Sequence, residues 1–185
     1  TRPYAFVDMD GKQAFEKACT YLAGLGHRRI ALLNGEPGFM FPVGCREGYE
    51  SGLFLSGLEL DPDLIREWKH KDPSQSSYRW TLELFKNENP PTAILFQTEA
   101  VNGIFKGLDE LNLQPGKDVA LIGYDDLEIA RIHRPSLSVL RPQAREAGQR
   151  VVNILMEVIK GEDPGKFQEI HQVEMVIRET SLPPS

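Results

Sequence analysis

The stretch Val119-Ala120-Leu121-Ile122-Gly123-Tyr124-Asp125-Asp126 is a short, continuous apolar run that ends in a glycine, a tyrosine and two aspartates. Apolar runs of about four to eight residues, bounded by polar turn residues, are typical of strands that are buried on both faces. Similar runs occur at Ile30–Leu33 and Thr92–Gln97. The sequence therefore predicts several buried strands, each of which leads into a polar loop.

Helical patterns alternate with these strands along the chain. Between Gly11 and Leu25, for example, apolar residues recur every three or four positions, as they do on one face of an α-helix. The predicted strands are Tyr4–Val7, Ile30–Leu33, Ile65–His70, Thr92–Gln97, Val119–Ile122, Leu137–Leu140 and Gln172–Ile177, and the predicted helices are Gly11–Leu25, Val43–Ser56, Ser74–Lys86, Val101–Leu111 and Gln143–Lys160. The alternation predicts an α/β fold in which helices cover both faces of a parallel sheet.

Composition excludes some classes of function for the chain by itself. The chain has 185 residues, of which 41% are hydrophobic and 26% charged, as in ordinary globular domains. The formal net charge is −6, and no stretch forms the basic patch with which proteins bind nucleic-acid phosphates. No apolar run approaches the roughly 20 residues of a membrane span. Because the histidines and cysteines are scattered along the sequence, we expect no zinc site, and we assign no metal ligand and no cofactor.

Polar loops follow the predicted strands. In parallel sheets, ligands bind beyond the carboxyl ends of the strands, where the loops here carry acidic side chains. These loops are 8–11, 34–43, 70–74, 97–99 and 124–127. Ionised carboxylates accept several hydrogen bonds each and suit a ligand rich in hydroxyl groups. They also suit magnesium, so the residues alone leave both kinds of ligand open.

An enzymatic alternative rests on Val7-Asp8-Met9-Asp10-Gly11. This stretch resembles the first motif of haloacid-dehalogenase-type phosphatases, which implies a nucleophile at Asp8, an acid/base at Asp10 and magnesium beside them. The segment 123–126 resembles the late metal-binding motif of that family. However, Tyr124 separates the glycine from the aspartates, and Lys12 stands where threonine or valine is usual. We therefore keep the phosphatase as an alternative and assign no catalytic residue.

A second resemblance covers nearly the whole chain. The segment Leu25-Gly26-His27-Arg28-Arg29-Ile30-Ala31-Leu32-Leu33-Asn34-Gly35 is similar to the most recognisable signature of LacI/GalR transcription regulators. Further matching segments follow in the expected order: Gly48-Tyr49, Pro91-Thr92-Ala93-Ile94, 118–126, Pro135-Ser136-Leu137-Ser138-Val139, and Ile177-Arg178-Glu179-Thr180-Ser181. The ordered set is specific, whereas any single segment is not.

The resemblance implies the sugar-sensing part of a cytoplasmic regulator that forms homodimers. Such proteins bind DNA through a helix-turn-helix headpiece, which we expect to be missing here, and two lobes close on a small effector. The implied parts are 1–13 (end of the amino-terminal lobe and hinge), 14–139 (carboxyl-terminal lobe), 140–163 (a helix of the amino-terminal lobe) and 164–185 (a return strand and tail in the carboxyl-terminal lobe). Without its lobe, the apolar face of the 143–160 helix should meet a symmetry mate or be displaced. A periplasmic sugar-binding protein remains a third hypothesis.

The resemblance also implies site residues. Asp125 matches the aspartate that binds ligand hydroxyls, and Asp10 matches a hinge-side aspartate. The family's ligand arginine would fall on Cys45, so Arg46 is one position late. The full set of expected ligand contacts is Asp125, Asp10, Arg46, Glu99, Phe39, Phe41, Asp72 and Trp68. The expected dimer contacts are Gly103, Leu111, Ile129 and Ile132.

Overall fold

The protein was described from a computed structural model, which covers residues 4–68 and 72–181. The strands are β1 (Phe6–Met9), β2 (Ile30–Asn34), β3 (Ile65–Glu67), β4 (Ala93–Gln97), β5 (Ala120–Tyr124), β6 (Ser138–Arg141), β7 (Gln168–His171) and β8 (Glu174–Val176). The α-helices are α1 (Gly11–Gly24), α2 (Met40–Leu55), α3 (Pro73–Phe85), α4 (Val101–Glu110), α5 (Glu128–Ile132) and α6 (Ala144–Ile159).

The main sheet has the strand order β3-β2-β4-β5-β6-β8. All of its neighbouring strands are parallel except β6 and β8, which run antiparallel. Helices α1 and α2 cover one face with Phe15, Leu22 and Tyr49, whereas α3 and α4 cover the other with Leu84 and Ile104. The predicted α/β class, with helices on both faces of a mainly parallel sheet, is confirmed.

A second, two-stranded sheet pairs β1 with β7, with Phe6 opposite Gln168. The strand predicted at Gln172–Ile177 is the shorter β8, and β7 was not predicted. Strand β7 thus pairs with β1, whereas β8 joins the main sheet, and the assignment of 164–185 to the carboxyl-terminal lobe stays a prediction. Strand β7 was missed because Gln-Glu-Ile-His lacks the apolar run of a buried strand. The predicted strand 65–70 ends at Glu67, and its last two residues lie outside the described part of the chain.

Helix α6 packs against β1 and buries Ala147 and Ile154. Val151 and Leu155, which lie on the apolar face of this helix, are 49% and 56% exposed. They border an apolar groove of about 370 Å³ beside Tyr4 and Phe6. Much of the apolar face of α6 therefore stays in contact with solvent. No helix among the described residues is long and apolar enough to cross a membrane.

Two helix pairs approach each other closely at glycines. A Cβ added to Gly48 of α2 would overlap the backbone carbonyl of Lys12 in α1, and one added to Gly103 of α4 would overlap the backbone of α3 at Ser74. Gly103 is therefore buried against α3, which does not support its expected role as a dimer contact.

The close contact at Gly48 predicts a measurable loss of stability. Gly48→Ala should reduce the free energy of unfolding by about 1–3 kcal/mol, because backbone must shift to admit the methyl group. Gly148→Ala in α6 is the matched control, since its Cβ would meet nothing within 4 Å. This control should gain about 0.5–1 kcal/mol, because alanine favours a helix over glycine. Urea unfolding measures both changes, and equal effects at the two positions would contradict the packing described here.

Candidate functional site

A cleft lies where the carboxyl ends of β4 and β5 face the end of β1 and the start of α6. Its first part, here called the carboxylate compartment, has a volume of about 470 Å³. It is lined by Asp8, Met9, Phe41, Gln97, Thr98, Glu99, Tyr124, Asp125, Pro142 and Ala144. Gln97 and Tyr124 are register partners at the ends of their strands, so the parallel pairing of β4 and β5 fixes the floor of this compartment.

A second part, here called the aromatic compartment, adjoins the first and has a volume of about 320 Å³. It is lined by Gly35, Glu36, Phe39, Phe41, Pro42, Trp68, Gln97 and Glu99. Phe41, Gln97 and Glu99 line both compartments, which therefore lie next to each other. The cleft therefore runs along the carboxyl edge of the sheet from β5 to β3.

Asp125 occupies the turn after β5 in an unusual backbone conformation. Its φ is +82°, in the left-handed region that few residues other than glycine adopt. Its N–H donates to the carbonyl of Leu140 at 2.9 Å, and the Thr98 hydroxyl donates to the carbonyls of Tyr124 and Asp125. These bonds connect the strained turn after β5 to β6 and to the end of β4, and so stabilise it. The Asp125 side chain faces the carboxylate compartment, so its position in the cleft is determined by the backbone.

The Asp125 carboxylate is half-buried and accepts no hydrogen bond from the residues that the structure describes. Partial removal from water raises its pKa above the ordinary value for aspartate. The Glu99 carboxylate is more exposed, yet desolvation and then the charge of Asp125 also raise its pKa. Two acidic groups, neither of which accepts a hydrogen bond from a described residue, thus line one compartment.

The neighbouring Asp126 has the opposite environment. Its side chain is 4% exposed and forms ion pairs with Arg131 at 2.7 Å and Arg178 at 2.9 Å. Burial alone would raise its pKa, but the hydrogen bonds from Arg131 and Arg178 outweigh that effect and lower the pKa. Asp126 therefore ties the turn to α5 and to the chain end near β8, and its carboxylate is not free to bind a ligand.

Aromatic side chains form a wall of the cleft. The ring of Phe41 meets that of Tyr124 edge-on, with centroids 4.6 Å apart. Trp68 stacks on Trp80 at 6.1 Å, which holds its indole in place at the edge of the cleft. Phe39 is 64% exposed although it is large and apolar. Residues Phe39, Phe41 and Trp68 were expected as ligand contacts, and the structure brings all three to the cleft beside Glu99 and Asp125.

Three expected ligand contacts lie elsewhere. The carboxylates of Asp10 and Asp72 each accept a backbone N–H three residues later, from Gln13 and Gln75, both at 2.8 Å. They are N-caps of α1 and α3. Arg46 forms ion pairs with Glu50 at 2.9 Å and with Glu67 at 3.4 Å. None of the three lines either compartment, so the structure does not support them as ligand contacts.

The aspartate–glutamine spacing could have identified the two caps. Asp10–Gln13 and Asp72–Gln75 both match the pattern of a capping residue followed three positions later by glutamine at the start of an apolar helix. Conversely, Gln97 was not singled out as a ligand contact. The sequence feature that could have identified Gln97 is its position as the polar last residue of an otherwise apolar strand. Asp8, proposed only for the phosphatase alternative, also lines the cleft.

The acidic side chains of the cleft do not form a metal centre. Within residues 4–68 and 72–181, no group of three or more histidine, cysteine, aspartate or glutamate side chains is close enough to hold an ion. The Asp8 carboxylate instead accepts the N–H of Met9 at 2.8 Å. The arrangement of Asp8 and Asp125 therefore does not favour the phosphatase alternative.

The remaining expected dimer contacts lie just after α4, at Leu111, and on α5. Ile132 is 60% exposed, and Leu111 and Ile129 are partly exposed. Their assignment to a dimer interface stays a prediction.

The comparisons with known proteins agree with this fold. The model of the periplasmic binding protein-like domain matches residues 19–181. Over 98% of its length the chain is 31% identical to the HTH-type transcriptional regulator AglR of Rhizobium meliloti (strain 1021), covering 52% of that protein. Over 96% it is 26% identical to the HTH-type transcriptional repressor PurR of Haemophilus influenzae (strain PittEE), covering 54% of it. The chain thus spans about half the length of these relatives.

A solved structure of a regulatory protein of the LacI family from Chloroflexus aggregans superposes with a TM-score of 0.89 and 29% identity. The superposition covers 95% of this chain and 63% of that one.

The two adjacent aspartates predict opposite effects on stability. Asp125→Asn should stabilise the protein near pH 7, because it removes a charge that folding makes less favourable. The gain should vanish as the pH falls below about 3.9, the ordinary pKa of aspartate, because the Asp125 carboxyl is then protonated in both the folded and the unfolded protein. Asparagine also tolerates a positive φ, so the backbone is preserved.

Asp126→Asn should instead lose about 1–3 kcal/mol near pH 7, because Arg131, Arg178 and Arg141 lose a buried charged partner. Because the folded pKa of Asp126 is lowered, this loss should fade as the pH falls below about 3.9 and through that folded pKa. Urea unfolding of both variants across this pH range measures the difference. The same sign of change for both variants at pH 7 would contradict the assigned environments.

Proposed function

The chain belongs to the family of periplasmic binding protein-like domains, and from this premise we propose that it is the effector-sensing part of a LacI-type transcription regulator. The named relatives support the regulator, since they are helix-turn-helix proteins of about twice the matched length. The net charge of −6 disfavours binding of DNA phosphates by this part of the protein, so another part of the polypeptide contacts DNA. The regulator acts in the cytoplasm as a homodimer.

One observation carries the proposal. The half-buried Asp125 carboxylate faces the cleft without a hydrogen-bond partner among the described residues, at the carboxyl ends of parallel strands where such folds bind ligands. The charged residues among those that line the cleft are Asp8, Glu36, Glu99 and Asp125, all of them acidic. Carboxylates beside aromatic rings suit a ligand with many hydroxyl groups and apolar ring faces. The effector is accordingly a sugar or a sugar derivative.

Regulation follows from a shift between conformational states. The carboxylate compartment lies between the main sheet and the unit formed by β1, β7 and α6, which belongs with the amino-terminal lobe. An effector that contacts both sides favours one closure state, in proportion to its difference in affinity for the two states. Leu111, Ile129 and Ile132 form part of the dimer interface. The ion pair between Asp126 and Arg131 links the turn at the cleft to α5 on that interface.

The proposal predicts ligand-dependent stability that requires Asp125. In the protein expressed from its complete gene, a bound sugar at one hundred times its Kd should add about 2.7 kcal/mol to the free energy of unfolding. Asp125→Ala should abolish this gain, because the hydroxyl-binding carboxylate is lost. Asp63→Ala, an exposed position at the opposite end of β3, is the control and should keep it. Thermal unfolding with and without sugar measures the gain, and a full gain in Asp125→Ala removes this residue from the site.

The coding sequence upstream of this chain gives an independent test. A helix-turn-helix supports the regulator, whereas a secretion signal followed directly by a binding domain supports a periplasmic sugar-binding protein. Magnesium-dependent hydrolysis of a phosphate ester that Asp8→Asn abolishes would instead establish the enzyme.

A further inference from the structure

Two amide side chains lie at neighbouring strand ends, on the face of the sheet that α1 and α2 cover. Strands β2 and β4 pair in parallel with Leu33 opposite Phe96, so Asn34 and Gln97 follow that pair on adjacent strands. Both continue the alternation by which apolar side chains of these strands reach this face. In place of two more apolar residues, the chain therefore has two side chains that need hydrogen-bond partners.

Asn34 is fully buried and makes two hydrogen bonds with its side chain. Its nitrogen donates to the carbonyl of Pro42, in the first turn of α2, at 2.8 Å. Its oxygen accepts from the side-chain nitrogen of Gln97 at 3.2 Å. Because a buried amide without partners is costly, these two bonds determine the orientation of Asn34.

The Pro42 carbonyl gives this series of hydrogen bonds a single direction. A carbonyl oxygen can only accept, so the Asn34 atom beside it must be the nitrogen, and the other Asn34 atom must be the oxygen. That oxygen can also only accept, so the Gln97 atom beside it must be the nitrogen. The oxygen of the half-buried Gln97 accepts no hydrogen bond from a described residue, and Gln97 lines both compartments of the cleft.

The absence of a side chain at Gly35 makes room for the Gln97 amide. A Cβ added to Gly35 would lie 3.0 Å from the Gln97 nitrogen and 3.1 Å from its oxygen, which is closer than ordinary van der Waals contact. The φ angle of Gly35 lies outside the left-handed region, so alanine is compatible with the backbone there. A methyl group at this position would therefore displace the amide and leave the backbone unchanged.

An uncharged acceptor suits position 97 better than a further carboxylate. Asp8, Glu99 and Asp125 already line the carboxylate compartment, and the charge of Asp125 contributes to the raised pKa of Glu99. Another carboxylate beside them would add to this repulsion. A carboxylate would also lack the N–H that Gln97 donates to Asn34. Glutamine supplies both the donor for Asn34 and a neutral acceptor for the cleft.

We propose that Gln97 determines specificity in the cleft, and that Asn34 positions it so that its carbonyl oxygen accepts a hydrogen bond from a hydroxyl group of the effector. This inference rests on the proposed function, because it assigns a contact within the same cleft. The effector must carry a hydrogen-bond donor at this place. An analogue without that donor leaves the Gln97 oxygen unpaired and binds more weakly.

The test replaces the hydroxyl groups of a sugar one at a time. The protein expressed from its complete gene is screened by calorimetry against glucose, galactose, mannose, fructose, sucrose and maltose. For the sugar among these that binds most tightly, affinities are then measured for analogues in which fluorine replaces each hydroxyl group in turn. Fluorine is small and polar but cannot donate a hydrogen bond, so each analogue reports on one donated bond.

Variants assign one hydroxyl group to Gln97. In the wild type, replacement of that group should weaken binding about five- to ten-fold, as expected for one hydrogen bond. In Gln97→Met, which keeps the length of the side chain but lacks the oxygen, the same replacement should weaken binding less than about two-fold. Gln114→Met is the matched control, since Gln114 is exposed in the loop before β5, at the opposite end of the sheet. This control should keep the full preference.

Two further variants test the positioning by Asn34. Asn34→Ala removes the bond to Gln97, and Gly35→Ala places a methyl group against the amide. Both should reduce the preference for hydroxyl over fluorine at the position assigned to Gln97 and leave the other positions unchanged. A purely structural role would instead weaken binding of the sugar and all its analogues by the same factor. Gly35→Ala keeps Asn34 and its bond to Pro42, so it tests the positioning even if Asn34→Ala fails to fold.

Three outcomes decide between the claims. Relative affinities of the analogues that are the same in the wild type and in Gln97→Met overturn the inference and leave the proposed function intact. A full preference in Gly35→Ala overturns the positioning of Gln97. Failure of every sugar to bind contradicts the proposed sugar-sensing function itself, and the inference with it.

Discussion

The backbone of the turn after β5 determines where the cleft presents its main carboxylate. Asp125 adopts a φ of +82°, and its N–H is bound to β6 while Thr98, at the end of β4, binds the carbonyls of the turn. Asp126 then ties the same turn to Arg131 and Arg178. Because β4, β6 and the arginines paired with Asp126 hold this turn, the strained conformation is maintained and the Asp125 side chain stays at the cleft.

The two neighbouring aspartates of this turn have different roles, one in stability and the other in binding. Asp126 gives its charge to buried ion pairs, and the protein gains stability from it. Asp125 keeps a partly desolvated carboxylate that accepts no hydrogen bond from the described residues, which costs stability in the free protein. Such a cost is typical of groups that are reserved for a ligand. Asn34 and Gln97 form a similar pair: the buried Asn34 amide binds the Gln97 side chain and orients it, and Gln97 faces the cleft.

Local sequence patterns predicted the parts of the structure that depend on local interactions. Apolar runs predicted the central strands of the main sheet, namely β2, β4 and β5, and helical stripes predicted the layers that cover it. The polar residues at the ends of these strands predicted where the cleft lies. The structure does not support Asp10 and Asp72 as ligand contacts, since an aspartate before a helix can serve either as a cap or as a ligand contact, and the glutamine three residues later favours the cap. Arg46 could not be placed because its partner Glu67 is distant in sequence. Strand β7 was not predicted because its segment has no apolar run. Its partner β1 also lies near the other end of the chain, so no local pattern indicates the pairing.

The most direct measurement of the central claim is a crystal structure of the protein with its effector bound. The account predicts effector hydroxyl groups within about 2.5–3.2 Å of the Asp125 carboxylate oxygens, with Gln97 beside the ligand and the turn after β5 unchanged. An effector bound outside this cleft, or an Asp125 side chain that makes no contact with it, would contradict the account.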